Sequence, residues 1–137
     1  MNSESEMSSD SPTGTRKRVL AVDDDASIRH MLDRVLSRTY DLVLAADGEL
    51  ALAEIKRQRP DLVLLDLRMP VMDGSELLER LEAEGIDVPV VLMTAEIRHG
   101  FLDSPLVRAR HDKLLGVDAL LETCARVLAG PASSRPR

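Results

Sequence analysis

The chain contains 137 residues, of which 24 are acidic and 18 are basic, so its formal net charge is −6. This length predicts a single domain, and an apolar fraction of 44% is enough to form a hydrophobic core. The acidic balance and the scarcity of aromatic residues disfavour nucleic-acid binding through phosphate contacts or base stacking. The single cysteine, Cys124, excludes a disulfide within the chain and a cysteine-based zinc site.

The sequence shows neither a membrane span nor a secretory signal. No apolar run approaches the ~18 residues of a transmembrane helix, and the N-terminus lacks a basic start followed by an apolar stretch, so we expect a cytoplasmic protein. Residues 1–15 contain five serines and three acids but no base, a composition typical of disorder. Residues 131–137 also have the composition of a tail. We therefore predict one domain at 16–130 between two disordered tails, with no room for an appended output domain.

Apolar runs and amphipathic stretches alternate through the first half of this domain. Residues 19–22 predict a strand that ends at three successive aspartates, 23–25. Residues 42–44 predict a second strand, and Asp47 with Gly48 opens the second helix. The first helix lies between these strands, and its apolar face comprises Ile28, Met31, Leu32, Val35 and Leu36.

The same alternation continues in the second half. Residues 62–65 predict a third strand that runs into Asp66, and Ser75 is expected to cap the third helix. Residues 88–93 predict a fourth strand, which ends at Thr94. Continuous apolar strands separated by helices indicate βαβ units and a parallel sheet covered on both faces. The apolar face of the last helix comprises Val117, Leu120, Leu121, Cys124 and Leu128.

The segment that follows Thr94 fits this alternation least well. Its helical signal at residues 97–102 is short, contains Gly100, and stops before Pro105. We place a fifth strand at residues 106–112, although its charged residues are unusual for a buried strand.

Four polar side chains stand at the carboxyl ends of the predicted strands: Asp23, Asp24, Asp66 and Thr94. Ligands of open parallel α/β sheets bind at these ends. Three carboxylates in one crevice repel one another unless a cation joins them, and hard oxygen ligands with room for water and a phosphoryl group suit Mg²⁺. A carboxylate beside Mg²⁺ can act as a nucleophile and form an aspartyl phosphate.

Two segments resemble the receiver domain of bacterial two-component response regulators. They are residues 21–25 (AVDDD) and 61–74 (DLVLLDLRMPVMDG), and the resemblance extends over residues 17–129. It implies an α/β fold with a doubly wound, five-stranded parallel sheet in the flavodoxin-like order 2-1-3-4-5, with helices on both faces. The resemblance also implies that Asp66 is the phospho-acceptor.

The resemblance assigns further roles around Asp66. Asp23 and Asp24 are expected to hold Mg²⁺ together with Asp66 and the backbone carbonyl of Arg68. Thr94 matches the switch hydroxyl that binds the phosphoryl group, although an ordinary strand end is its alternative reading.

Three more positions match the family pattern. Ala95 is the small residue that follows the switch hydroxyl, and Lys113 matches the phosphoryl-binding lysine. Arg68 and Glu96 are expected to flank the path of the hydrolytic water as a dephosphorylation gate. The alternative is that these two side chains are solvated and independent.

Departures from the family pattern lie near Lys113. Leu114 and Leu115 replace the usual proline and phenylalanine, so the cis X-Pro bond expected in this turn is absent. Arg110 stands where the family usually has tyrosine or phenylalanine, and the stretch 94–113 is shorter than usual. We therefore expect the acceptor chemistry to be intact and the read-out to be altered.

Several residues have structural alternatives. Asp25 is expected to cap the first helix rather than bind metal, and Cys124 to lie inert in the core. Lys113 could be a solvated surface lysine, with Arg108 or Arg110 reaching the phosphoryl group instead. The histidines lack the spacing of a metal site and are expected at the surface: His30, His99 and His111.

We therefore predict a stand-alone receiver domain, not an enzyme, that accepts a phosphoryl group from a histidine kinase or phosphotransfer protein onto Asp66 with Mg²⁺. It would signal through protein–protein contacts or a phosphorelay, without nucleic-acid binding or membrane insertion. The alternative is a phosphorylation-independent adaptor with the same fold, which the altered stretch 94–113 favours. A phosphatase is a more distant alternative, because Arg68 stands where a second acidic residue is needed.

Overall fold

The structure is a computed structural model that describes residues 16–66, 72–94 and 104–130, apart from the side chains of Thr94 and Leu114. Within these residues, five strands form one parallel sheet in the order β2-β1-β3-β4-β5, which confirms the predicted order. The strands are β1 (Arg18–Val22), β2 (Asp41–Ala45), β3 (Leu62–Asp66), β4 (Val90–Thr94) and β5 (Val107–Asp112).

Four α-helices and one short 3-10 turn connect or follow these strands in the described parts of the chain. They are α1 (Ala26–Leu36), α2 (Gly48–Arg57), α3 (Gly74–Ala83), the 3-10 turn (Lys113–Leu115) and α4 (Val117–Ala129). The helical signal predicted at 97–102 falls within residues 95–103, outside the described residues. No cis peptide bond occurs among the residues that are described, as the replacement of proline by Leu114 predicts.

The helix starts follow the capping preferences of aspartate. The Asp25 carboxylate accepts hydrogen bonds from the backbone N–H groups of Ser27, at 2.8 Å, and Ile28, at 3.4 Å, so its predicted capping role is confirmed. Asp47 caps α2 in the same way, by accepting from the N–H of Leu50 at 2.9 Å. Each cap satisfies a backbone donor that has no partner within its helix.

The predicted cap of α3 was wrong. Asp73, not Ser75, occupies the N-cap position, and its carboxylate accepts from the backbone N–H of Glu76 at 3.0 Å. The Glu76 side chain in turn accepts from the backbone N–H of Asp73 at 3.2 Å. This reciprocal capping box needs an acidic residue three positions after the cap, a condition that Asp73 meets. Ser75 therefore lies inside the first turn of the helix.

The core lies on both faces of the sheet because successive strand residues point to opposite sides. In β1, Leu20 and Val22 join the core cluster under α2 and α3, whereas Val19 and Ala21 join the cluster under α1 and α4. Strand β3 is buried along its whole length, which explains the continuous apolar sequence that precedes Asp66. Cys124 lies in the second cluster with no exposed surface, as predicted.

The fifth strand is confirmed, and its position at the edge of the sheet explains its charge. Only β4 pairs with β5, so the side chains of Arg108 and Arg110 lie exposed while Ala109 and His111 point inward. The prediction that His111 lies at the surface was wrong, since only 5% of this residue is exposed. Strand alternation, rather than the polarity of the side chain, decides its burial.

Candidate functional site

The strand register brings two aspartates together at the carboxyl edge of the sheet. Strands β1 and β3 are parallel neighbours, and Val22 is paired with Leu65. Asp23 and Asp66 each follow one residue later, so they stand side by side at that edge. With Asp24, they place carboxylate oxygens that all lie within 4.8 Å of one another. The structure therefore brings together the three predicted acidic ligands.

Asp23 is the most tightly held of the three. It has no exposed surface, and its Oδ1 accepts a hydrogen bond from the backbone N–H of Asp25 at 3.0 Å. Its backbone N–H donates to the carbonyl of Ala45 at 3.1 Å. The guanidinium of Arg29 donates to its backbone carbonyl at 2.8 Å. These contacts fix the position of the carboxylate, since both the main chain and one carboxylate oxygen are bound.

The acidic side chains differ in their access to solvent. Asp66 is 6% exposed, whereas Asp24 is an exposed residue at the rim. The site is therefore closed around Asp23 and open at Asp24, which leaves an approach for water or a phosphoryl donor.

A lysine that lies far away in the sequence completes the cluster. β4 and β5 pair Thr94 with Asp112, so Lys113 follows the last residue of β5 at the same edge as the aspartates. Its Nζ donates to Oδ2 of Asp23 at 3.1 Å and lies 3.3 Å from Oδ2 of Asp66. The structure thus places Lys113 at the predicted site and not as a solvated surface lysine.

The environment keeps this lysine charged. Burial alone would lower the pKa of Lys113, but the hydrogen bond to Asp23 and the negative charge of Asp66 outweigh burial and leave the pKa raised. An ammonium group between two carboxylates is stabilised in its charged form by both of them. Lys113 therefore supplies a fixed positive charge next to the predicted acceptor.

Part of the predicted site lies outside the described residues. This applies to Arg68, Ala95 and Glu96, so the backbone metal ligand and the dephosphorylation gate stay predictions. Thr94 is described only as the last residue of β4. Its backbone position at the carboxyl edge is the one expected for a switch residue, and the role of its hydroxyl stays a prediction.

Arg29 belongs to the site although its sequence position did not predict this role. No sequence motif predicts its contact with the carbonyl of Asp23, because a basic residue early in α1 could equally have faced solvent. The one available signal is its place near the start of a helix that begins directly after the acidic cluster.

The residues present are suitable for a magnesium ion. Carboxylate oxygens are the ligands that Mg²⁺ prefers, and an open side for water is typical of its sites. Three carboxylates and one lysine leave a net charge of −2, which a divalent cation neutralises. The donor set therefore fits Mg²⁺ in charge and in ligand chemistry.

Comparison with known protein families agrees with this arrangement. The model of the response regulator receiver domain matches residues 19–114. The response regulator MprA of Mycobacterium leprae is 38% identical over 120 residues, which cover 87% of this chain and 53% of that protein. The DNA-binding response regulator MtrA of Mycolicibacterium paratuberculosis is 45% identical over 82 residues, which cover 59% of this chain and 36% of that protein. The chain thus spans about half or less of these relatives.

Solved structures that are similar to this chain belong to the same family. The response regulator TrrA of Thermotoga maritima, in complex with Mg²⁺ and BeF, has a TM-score of 0.72 and 31% identity, covering 80% of this chain and 97% of TrrA. The receiver domain of the Francisella response regulator 1452 has a TM-score of 0.74 and 27% identity, covering 83% of this chain and 98% of that domain. In the described part of the chain, no helix is both long and apolar enough to cross a membrane. With the parallel sheet and the acidic edge, these matches identify the chain as a member of the response regulator receiver domain family of two-component systems.

Proposed function

We propose that this receiver domain accepts a phosphoryl group on Asp66 from a histidine kinase or phosphotransfer protein, with Mg²⁺ bound by Asp23, Asp24 and Asp66. The observation that carries the proposal is the meeting of three carboxylates and the Lys113 ammonium at one point of the sheet edge. The backbone carbonyl of Arg68 is proposed as a further metal ligand. The protein is then a phospho-acceptor that assists its own phosphorylation and dephosphorylation.

The chemical step is a transfer between two nucleophiles. A carboxylate oxygen of Asp66 attacks the phosphorus of a phosphohistidine, and the P–N bond breaks as the new O–P bond forms. The electron pair of the broken bond stays on the imidazole nitrogen of the donor. Asp23, Asp24 and Asp66 would hold Mg²⁺, whose positive charge would neutralise the phosphoryl oxygens during transfer. Asp23 would bind the ion from a fixed position, because hydrogen bonds from Asp25 and Arg29 hold it in place.

Lys113 would supply a second positive charge to the same phosphoryl oxygens. Its ammonium lies 3.3 Å from Asp66 Oδ2, so a phosphoryl group on Asp66 would lie within its reach. We further propose that Thr94 and Ala95 contact the phosphoryl group and that Arg68 and Glu96 control the approach of the hydrolytic water. The phosphorylated form would signal through protein contacts or a relay. MtrA is named as a DNA-binding response regulator, but we do not propose DNA binding for this chain.

The acceptor is tested with small phospho-donors. The protein is incubated with acetyl phosphate or phosphoramidate and Mg²⁺, and intact-mass measurement is expected to show one added phosphoryl group. Asp66→Asn should remove the adduct, and so should chelation of Mg²⁺. Asp87→Asn is a matched control, because the Asp87 side chain is 81% exposed and lies outside the acidic cluster.

Two results would contradict the proposal. One is an adduct that persists in Asp66→Asn, which would place the acceptor elsewhere. The other is no adduct with either small donor and none with a histidine kinase, which would favour the phosphorylation-independent adaptor.

A further inference from the structure

A groove lies between α1 and α4, outside the acidic site. Its volume is about 560 Å³, and it is lined by residues of α1, of the turn that follows α1, and of the first turns of α4. Its apolar floor includes Met31, Val35 and Leu121, which are only partly buried by the protein itself. The groove therefore offers apolar surface that a further segment of chain could cover.

The rim of this groove carries positive charge. Arg34 and Arg38 line it and are both exposed, and exposed His30 lies one turn earlier on the same helix. Among the described residues that line the groove, Asp118 is the one acidic residue. A segment that binds here is therefore expected to combine acidic side chains with at least one apolar side chain.

The chain enters the described structure at one end of the groove. The guanidinium of Arg16 donates to the backbone carbonyl of Thr39 at 3.2 Å and to that of Ser37. Thr39 is itself part of the groove lining. The point at which residues 1–15 join the described chain is therefore next to the groove, and their sequence contains Glu4, Glu6 and Asp10 without any lysine or arginine.

We propose that residues 1–15 of this chain bind in the α1–α4 groove, with their acidic side chains facing Arg34 and Arg38 and with Met7 on the apolar floor. The length allows this arrangement. The five residues between Asp10 and Arg16 give six residue-to-residue steps, which span up to about 20 Å when extended, whereas α1 is only about 16 Å long. Since the segment is covalently attached, its effective concentration at the groove is high. This interaction lies beyond the phosphoryl chemistry at Asp66.

A spin label on the segment tests the proposal in the full chain. Ser8→Cys is labelled with a nitroxide, and the native Cys124 does not compete because it is fully buried. Broadening of backbone amide signals is then measured for residues 30–38 and 117–121. We expect strong broadening there and none in α3, which lies on the other face of the sheet.

Charge reversal distinguishes this contact from random collision. Arg34→Glu should reduce the broadening about 1.4- to fivefold, the range expected for loss of an exposed ion pair. Arg126→Glu makes the same charge change on exposed surface outside the groove lining and should leave the broadening unchanged. Raising the salt to about 1 M should also weaken the contact, because the Debye length falls to about 3 Å.

The same samples can overturn the proposal. Equal loss of broadening in both charge-reversed variants would mean a nonspecific electrostatic effect. Equally strong broadening when spin-labelled protein without isotope label is mixed with isotope-labelled protein without spin label would mean that the groove binds the segment of a second molecule. No broadening in residues 30–38 would remove the segment from the groove.

Discussion

Replacement of Gly48 by alanine is expected to destabilise the protein by overpacking. Gly48 is the first residue of α2, and its backbone N–H donates to the carbonyl of Met72 at 3.1 Å. A Cβ at this position would lie 2.4 Å from that carbonyl oxygen and 2.8 Å from Cγ of Met72. The nearest atom belongs to the backbone, so rotation of a side chain cannot relieve the contact.

The magnitude follows from two opposing effects. Overpacking of a dense site costs about 1–3 kcal/mol, whereas exchange of glycine for alanine in a helix returns at most about 1 kcal/mol. We therefore expect Gly48→Ala to lower the free energy of unfolding by about 1–2 kcal/mol and the Tm by about 4–8 °C.

Denaturant and thermal unfolding measure this effect, with Leu50→Ala as the control. Leu50 lies in the same first turn but is 55% exposed, so its change should stay within about 0.5 kcal/mol. Equal stability of Gly48→Ala and the native protein would refute the reasoning, because it would mean that Met72 moves away at no cost.

Three further predictions concern the metal, a buried histidine and a helix cap. Free Mg²⁺ at about ten times its dissociation constant should stabilise the protein by about 1.4 kcal/mol in thermal melts, and Asp23→Asn should lose this effect while Asp87→Asn retains it. Burial, only partly opposed by the charge of Asp112, lowers the pKa of His111. The stability that neutral His111 contributes is therefore fully present above the unfolded-state pKa of about 6.5 and is lost as the pH falls below that value. The free energy of unfolding, measured in urea, should therefore depend less on pH in His111→Gln than in the control His30→Gln, in which an exposed histidine is replaced. Asp73→Ala removes the capping box of α3 and should cost about 1 kcal/mol in the same assay, whereas Ser75→Ala should change little.

Most of the fold was predictable because a sheet that is buried on both faces requires apolar residues at regular positions in the sequence. A strand such as β3 is apolar at every position before the functional Asp66 at its end, and the helix that follows it must be apolar at helical spacing. The two misassignments have different causes, since the burial of His111 depends on tertiary position whereas the cap of α3 depends on the local sequence. His111 is buried because it faces the core from an edge strand, and Asp73 caps α3 because Glu76 completes the box.

The acidic residues of the candidate site were easier to predict from the sequence than its basic residues. Asp23 and Asp66 could be predicted because each ends a buried strand, and parallel strands end at the same edge. Lys113 lies 90 residues away from Asp23 in the sequence, so only the family resemblance could place it. The support that Arg29 gives to Asp23 had neither a motif nor a resemblance to indicate it.

The charges of the site would allow Lys113 to act at two stages of the proposed cycle. Lys113 shares its ammonium between Asp23 and Asp66, and this contact relieves part of the repulsion between the carboxylates. A divalent cation would bring the remaining net charge of the cluster to zero and would weaken the hold of Asp23 on Lys113. The phosphoryl group then adds negative charge at Asp66, 3.3 Å from the ammonium. Lys113 would therefore exchange a carboxylate partner for a phosphoryl partner with little movement, and the positive charge needed for the product would already be in place before transfer.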